Sequence, residues 1–151
     1  MTDDTDLPPL TPVAPGLYQH HKGGWYAVTG TARCSETLQP MVIYRALYGD
    51  GGTWVRPANM FGEAVVVGGT VKLRFTPHRE ADVPMVDVQV ARALVMWFGT
   101  QAQGQGVSLR PPPPEPSTCC GRGCNGCVWE GFYTAMACWR QDARAALTPG
   151  D

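Results

Sequence analysis

The sequence predicts a mainly β fold class: a small β-barrel, then a Pro-rich linker, then a short Cys-rich α-helical module. Three observations carry this expectation. Short apolar stretches separated by glycine pairs fill residues 16–76, with no helical spacing among them. The run Pro111-Pro112-Pro113-Pro114-Glu115-Pro116 then interrupts the chain. Directly after it, four of the six cysteines fall within nine residues, from Cys119 to Cys127.

Composition narrows the classes further. A chain of 151 residues with 18 glycines and 14 prolines is rich in turns and linkers, and suits one small domain with an appendage. A net charge of -1 lacks the basic excess that phosphate-backbone recognition demands, so no nucleic-acid partner is expected. No apolar run approaches the roughly 18 residues of a membrane span. The acidic start, Met1-Thr2-Asp3-Asp4-Thr5-Asp6, has neither a basic n-region nor an apolar h-region, which points to the cytoplasm. Thiols stay reduced there, so a dense cysteine motif reads as metal-binding or catalytic before it reads as a disulfide framework.

Residues 1–13 are acidic, Pro-containing and poor in large apolar groups, and are expected to be a disordered tail. The barrel is expected over residues 14–80. Strands over 16–22 and 25–28 flank Gly23-Gly24, and residues 41–48 are rich in branched and aromatic side chains. Residues 53–56 follow the turn Gly49-Asp50-Gly51-Gly52 and end at Pro57, which lacks a ladder donor. Residues 64–67 form a further strand, and Val71, Leu73 and Phe75 alternate with Lys72 and Arg74 in a last one. Five or six short strands over this length suit a compact barrel of SH3-like size.

A connecting segment is expected over 81–118. Within it, Val88, Ala91, Val95 and Phe98 lie at helical spacing while Val86, Val88 and Val90 alternate; the spacing favours a helix. The Gly/Gln-rich stretch from Gly99 and the proline run should act as a stiff spacer of about 3.1 Å per residue. The Cys-rich module occupies 119–147. Val128, Phe132, Met136, Trp139 and Ala143 recur at three- and four-residue spacing, which predicts an amphipathic helix with Glu130, Arg140 and Arg144 on its other side.

Two groups of residues carry chemistry. Tyr18, His20 and Lys22 stand at alternate positions of one strand and put a phenol, an imidazole and an ammonium on one face. Trp54 and Arg56 form a similar pair, with Arg56 able to hold a carboxylate or phosphate through two parallel hydrogen bonds. Together these residues can line a cleft for a small anionic ligand. Ser35 and Thr37, in the loop after Cys34, can add polar contacts, although no base accompanies them. His21 and His78 read as ordinary surface histidines. There is no triad, no phosphate-binding glycine loop and no pair of catalytic carboxylates, which favours a binding or adaptor role over an enzyme.

The second group is the cysteine cluster. A module of about 30 residues is too short to hold itself folded by burial and calls for a metal, disulfides or a partner surface. Cys124-x-x-Cys127 is the spacing at which a glycine-containing turn brings two thiolates onto one ion, with Cys119 and Cys120 as further ligands of a four-thiolate site, or three thiolates with an outside ligand as the other geometry. Zinc is the expected metal, ahead of an iron-sulfur cluster. The rival reading is a redox accessory, in which Cys124 and Cys127 cycle between dithiol and disulfide or hold an electron-carrying cluster. Cys138, eleven residues beyond Cys127, is expected in the helix core.

The stretch from Pro113 through Cys119-Cys120-Gly121-Arg122-Gly123-Cys124-Asn125-Gly126-Cys127-Val128-Trp129 resembles the oxidoreductase-like N-terminal domain family. That resemblance implies an accessory module with no established reaction. Gly16-Leu17-Tyr18-Gln19-His20-His21-Lys22-Gly23, with Cys34-Ser35-Glu36-Thr37 and Trp54-Val55-Arg56-Pro57, resembles the bacterial domain of unknown function 1653. Its members are similar to small SH3-type barrels, and its recurrent polar residues would fall on Tyr18, His20, Lys22, Ser35, Thr37, Trp54 and Arg56. Cys34 stands where that family often has histidine.

Overall fold

The computed structural model describes residues 7, 10, 12–117 and 128–148. The expected metal ligands Cys119, Cys120, Cys124 and Cys127 lie outside the described residues, as does most of the expected tail. The chain divides into two compact units, Met1–Arg79 and Glu80–Asp151.

In the first unit, β1 (Gly16–His20), β2 (Trp25–Arg33), β3 (Pro40–Ala46) and β4 (Thr53–Pro57) are followed by the single helical turn α1 (Ala58–Phe61). Strands β5 (Ala64–Val67), β6 (Thr70–Leu73) and β7 (Phe75–His78) complete it. Five strands form one antiparallel sheet in the order β4-β3-β2-β1-β7, and β5 and β6 form a separate hairpin. Among the described residues the ladder does not close, so where the sequence leads one to expect a barrel there is an open sheet with a hairpin beside it. Each edge strand contains a proline, Pro57 or Pro77, and each removes a donor that a closing ladder could use.

Local chemistry explains the strand boundaries. Gly68 and Gly69, both at positive φ (56° and 80°), make the two-residue turn that a tight β5–β6 hairpin requires. The single strand expected across residues 71–75 is divided at Arg74. The backbone N–H of Arg74 donates to Glu63 O, and its guanidinium donates to Met60 O and to the Glu63 carboxylate. The side chains of β6 therefore stay exposed while Phe75 is buried. Tyr18, Val28, Val42, Tyr44, Phe61 and Phe75 form the core of this unit. Val13 packs against that core and donates its N–H to Thr31, so the last residue of the expected tail is anchored.

The second unit begins with the 3₁₀ turn Glu80–Asp82, followed by α2 (Val88–Gln105) and α3 (Val128–Leu147). Asp87 caps α2 by accepting from Val90 N at 2.9 Å, and Gly106 ends it in the left-handed conformation with φ 68°. The helix therefore runs on through Gly99, and much of the segment expected as a connector is an element of this unit. The proline run is held too: Arg92 grips Glu115 at 2.7 Å, and Trp139 Nε1 donates to Arg110 O at 2.7 Å. Phe132, Met136, Trp139 and Ala143 are the buried residues of α3, and Phe98 of α2 meets Trp139 edge-on at 5.7 Å. Val128 and Cys138, expected inside, are exposed. Arg140 and Arg144, expected on a solvent face, both hold Glu80, and Arg140 also donates to Val83 O.

Among the described residues, no helix is long and apolar enough to cross a membrane. Met136 is fully buried at 0 % exposure, so Met136→Ala should cost about 2–5 kcal/mol through lost contacts and a residual cavity. Exposed Cys138→Ser should stay within about 0.5 kcal/mol of the parent. Urea unfolding followed by far-ultraviolet circular dichroism checks both, and equal midpoints for the two variants would refute the assignment of the helix core.

Candidate functional site

Strand register determines which side chains share a face. Tyr18 lies opposite Tyr26, His20 opposite Phe75, Tyr44 opposite Trp54 and Val42 opposite Arg56. Since Val28 pairs with Tyr44, all of these residues occupy one side of the five-stranded sheet. The two sequence-predicted groups, Tyr18 with His20 and Trp54 with Arg56, are thus on the same face although they arise from strands at opposite ends of the unit's first half.

Their roles differ. Tyr18 is only 7 % exposed; its hydroxyl donates to Ala14 O at 2.8 Å, and burial pushes its phenol pKa up. It supports the face from within the core. Trp54 is 58 % exposed and forms a rim. Lys22 lies beyond the end of β1, in the turn, where its backbone N–H donates to His20 Nδ1 at 3.2 Å. Ser35 and Thr37 are exposed in the turn between β2 and β3, with Thr37 accepting from Gln39 N. The nine residues of β2, about 30 Å of extended chain, separate that turn from the one that carries Lys22. The structure therefore does not bring Ser35 and Thr37 to His20. Cys34 stands beside Thr37, whose hydroxyl is the leading cause of a lowered thiol pKa.

The centre of the face is Phe75. His20 meets its ring edge-on at 4.8 Å, Tyr44 does so at 5.4 Å, and the Arg56 guanidinium lies 5.8 Å from its centroid. Arg56 Nε donates to the Tyr44 hydroxyl at 3.4 Å. Among the described residues Arg56 has no carboxylate partner. The His20 pKa is lowered to about 4, first by burial and then by His21, Arg56, Lys22 and Arg74. Its imidazole is therefore neutral near pH 7. Because Nδ1 accepts from the Lys22 N–H, the proton sits on Nε2, and His20 offers a ring N–H donor.

A tyrosine pair borders this arrangement. The Tyr26 and Tyr48 hydroxyls are 2.7 Å apart, and burial, then this hydrogen bond, holds the Tyr26 phenol protonated well above its usual range. A Cβ at Gly24 would come within 3.3 Å of the Tyr26 ring and 3.5 Å of Tyr48, so the residue at this position must be small for the pair to form. Sequence reasoning missed both tyrosines, because they are twenty-two positions apart and only strand pairing joins them.

Sequence reasoning also missed a groove of about 490 Å³ beside the β1–β2 turn, lined by Gln19, His20, His21, Lys72, Thr76 and His78, with Gly23 and Leu73. All three histidines of the chain are among its lining residues. Among the described residues no group of three histidine, cysteine or acidic side chains is placed to hold a metal ion.

Comparison with known proteins follows the two units. Residues 16–77 match the family described as "Protein of unknown function (DUF1653)", and residues 103–148 match "Oxidoreductase-like protein, N-terminal". No curated protein matches the chain. A crystal structure of a DUF1653 protein from Bordetella bronchiseptica is 35 % identical, with 42 % of this chain and 83 % of that one covered and a TM-score of 0.40. Through residues 16–77 the chain belongs to the DUF1653 family, and through residues 103–148 it carries an oxidoreductase-like N-terminal module.

Proposed function

We propose that this is a cytoplasmic binding or adaptor protein whose first unit takes the carboxylate or phosphate of a small anionic ligand, or of a peptide, at the Arg56–His20 face. The observation that carries the reading is Arg56. It is half-buried, seated over Phe75, tied at Nε to Tyr44, and without a carboxylate among the described residues. A guanidinium held this way presents its terminal nitrogens in a fixed orientation, which suits two-point recognition of an oxyanion. The neutral His20 adds an Nε2–H donor, and exposed Trp54 adds an apolar wall. The small SH3-like frame inferred from the strand pattern would serve as scaffold. In the same proposal the cysteine motif folds around a thiolate-bound metal through Cys119, Cys120, Cys124 and Cys127, whose four soft donors suit zinc. An iron-sulfur or dithiol redox accessory is the alternative.

Three measurements test this. Benzoate and phenyl phosphate serve as probes of the Arg56 face, titrated by NMR into the full chain. Arg56→Ala should weaken their binding about tenfold or more, and Arg56→Lys should fail to restore it, because an ammonium lacks the planar fork. Unchanged affinity in both variants would overturn the reading.

The second test is linkage to pH. The folded His20 titrates near 4 and the unfolded one near 6.5, so between these values the unfolded state binds more protons. This contribution makes stability fall as pH drops from about 6.5 to about 4 and then level off. His20→Gln should flatten that part of the urea midpoint against pH, and an undiminished slope would exclude His20 as its source.

The third is elemental analysis with a visible spectrum, on protein purified without added metal or a metal-binding tag. About one zinc per chain, lost in the Cys124→Ser, Cys127→Ser double variant, is expected. Iron with charge-transfer absorption would replace zinc by the redox reading, and a metal-free protein that keeps α3 folded would refute the metal site.

A further inference from the structure

We propose that the groove beside the β1–β2 turn is a second binding site, for a phosphate-type oxyanion carried on a small molecule. It does not rest on the Arg56 reading. The two sites share the wall formed by His20, and their other determinants are separate.

The first support is the set of polar groups. Lys72, Thr76, His20, His21 and His78 are among the residues that line the groove, and no lining residue is acidic. The nearby carboxylate of Glu63 is engaged by Arg74 at 3.1 Å. A carboxylate ligand presents two oxygens in one plane. A phosphoryl group presents three oxygens in three directions, which better matches polar residues contributed by a turn, by β6 and by β7.

The second support is preorganisation. His21 N–H donates to Arg74 O at 2.9 Å, which ties the turn to the break between β6 and β7. Within the turn, Gly23 N–H donates to His20 O, His20 N–H donates to Gly24 O, and the Gln19 amide donates to Gly23 O at 3.3 Å. The His78 ring lies 5.1 Å from that of Trp25. The backbone of the turn, one wall of the groove, is thus fixed by bonds that do not need a ligand.

The third support is the local field. Burial, and after it Lys22, Arg74 and Lys72, lower the pKa of His21, so three cations act on an imidazole at the groove. Cations gathered around imidazoles in this way are relieved by a dianion. The volume of about 490 Å³ exceeds what a phosphate alone would fill, and lies in the range of sites for small organic ligands.

The test is a titration of the imidazole ring signals of the full-length protein with inorganic phosphate and with phenyl phosphate, chloride being used to hold ionic strength constant. Saturable shifts of His21 and His78 are expected, with phenyl phosphate saturating at lower concentration than inorganic phosphate. Lys72→Gln should weaken the apparent affinity about tenfold, the weight of one charge-assisted contact. Arg56→Ala should leave the His21 and His78 shifts unchanged, so that failure of this site and failure of the Arg56 face are read separately. Shifts that chloride reproduces, equal affinity in Lys72→Gln, or binding of inorganic phosphate without phenyl phosphate would each overturn the proposal.

Discussion

The first unit depends on the ring of Phe75. Phe61 stacks on it at 4.1 Å with planes only 5° apart, while His20, Tyr26 and Tyr44 approach it edge-on, and Arg56 lies near its face. A phenyl ring offers a negative face and a positive edge, so stacking and edge contacts use different parts of one group. That single side chain joins β7 to β1, β2, β3, β4 and α1. It also determines why Arg74 must interrupt the strand: Phe75 can turn inward only because the preceding residue is held by Glu63 and Met60. The core and the candidate ligand face are therefore one structure, with the functional groups set directly on core rings.

Electrostatics gives the same face its character. The chain is close to neutral overall, with a net charge of -1, yet the region around His20 is locally cationic. Lys22, Arg56 and Arg74 come from three separate segments, and no count of charges along the chain would reveal their convergence. Among the described residues of the second unit, by contrast, the arginines are engaged internally: Arg92 by Glu115, Arg110 by Asp142, and Arg140 and Arg144 by Glu80. The availability of charge, more than its amount, separates the two units as candidates for binding an anion.

Much of this architecture was legible from local patterns. Gly23-Gly24 marks a hairpin because tight turns need backbone freedom, and the spacing of Phe132, Met136, Trp139 and Ala143 marks a buried helical stripe. The pairing of Tyr18 with His20 and of Trp54 with Arg56 followed from two-residue periodicity alone. What escaped depends on contacts distant in sequence. Lys22 leaves the strand because Gly23 N–H and Gly24 O close the turn on His20. Cys138 is exposed because the helix stripe turns away from it, and α2 continues past Gly99 because Phe98 and Ala102 bury the same side. Of the site, Tyr44 and Phe75 appeared only as strand residues; their role as platform for Arg56 arises from register, which no single strand contains. Barrel closure is not legible in this way, since strand number alone says nothing about whether the outer edges find each other.

Glu80 and Arg144 meet at 2.9 Å, in a bidentate ion pair that joins the first element of the second unit to the last turn of its last helix. The first element of that unit and the last turn of α3 are consequently neighbours. A segment whose two ends lie side by side can be spliced into a surface loop of an unrelated host without stretching either polypeptide, as domain insertion requires. The ion pair then acts as a clasp that travels with the segment. Such a clasp closes the helical unit from within.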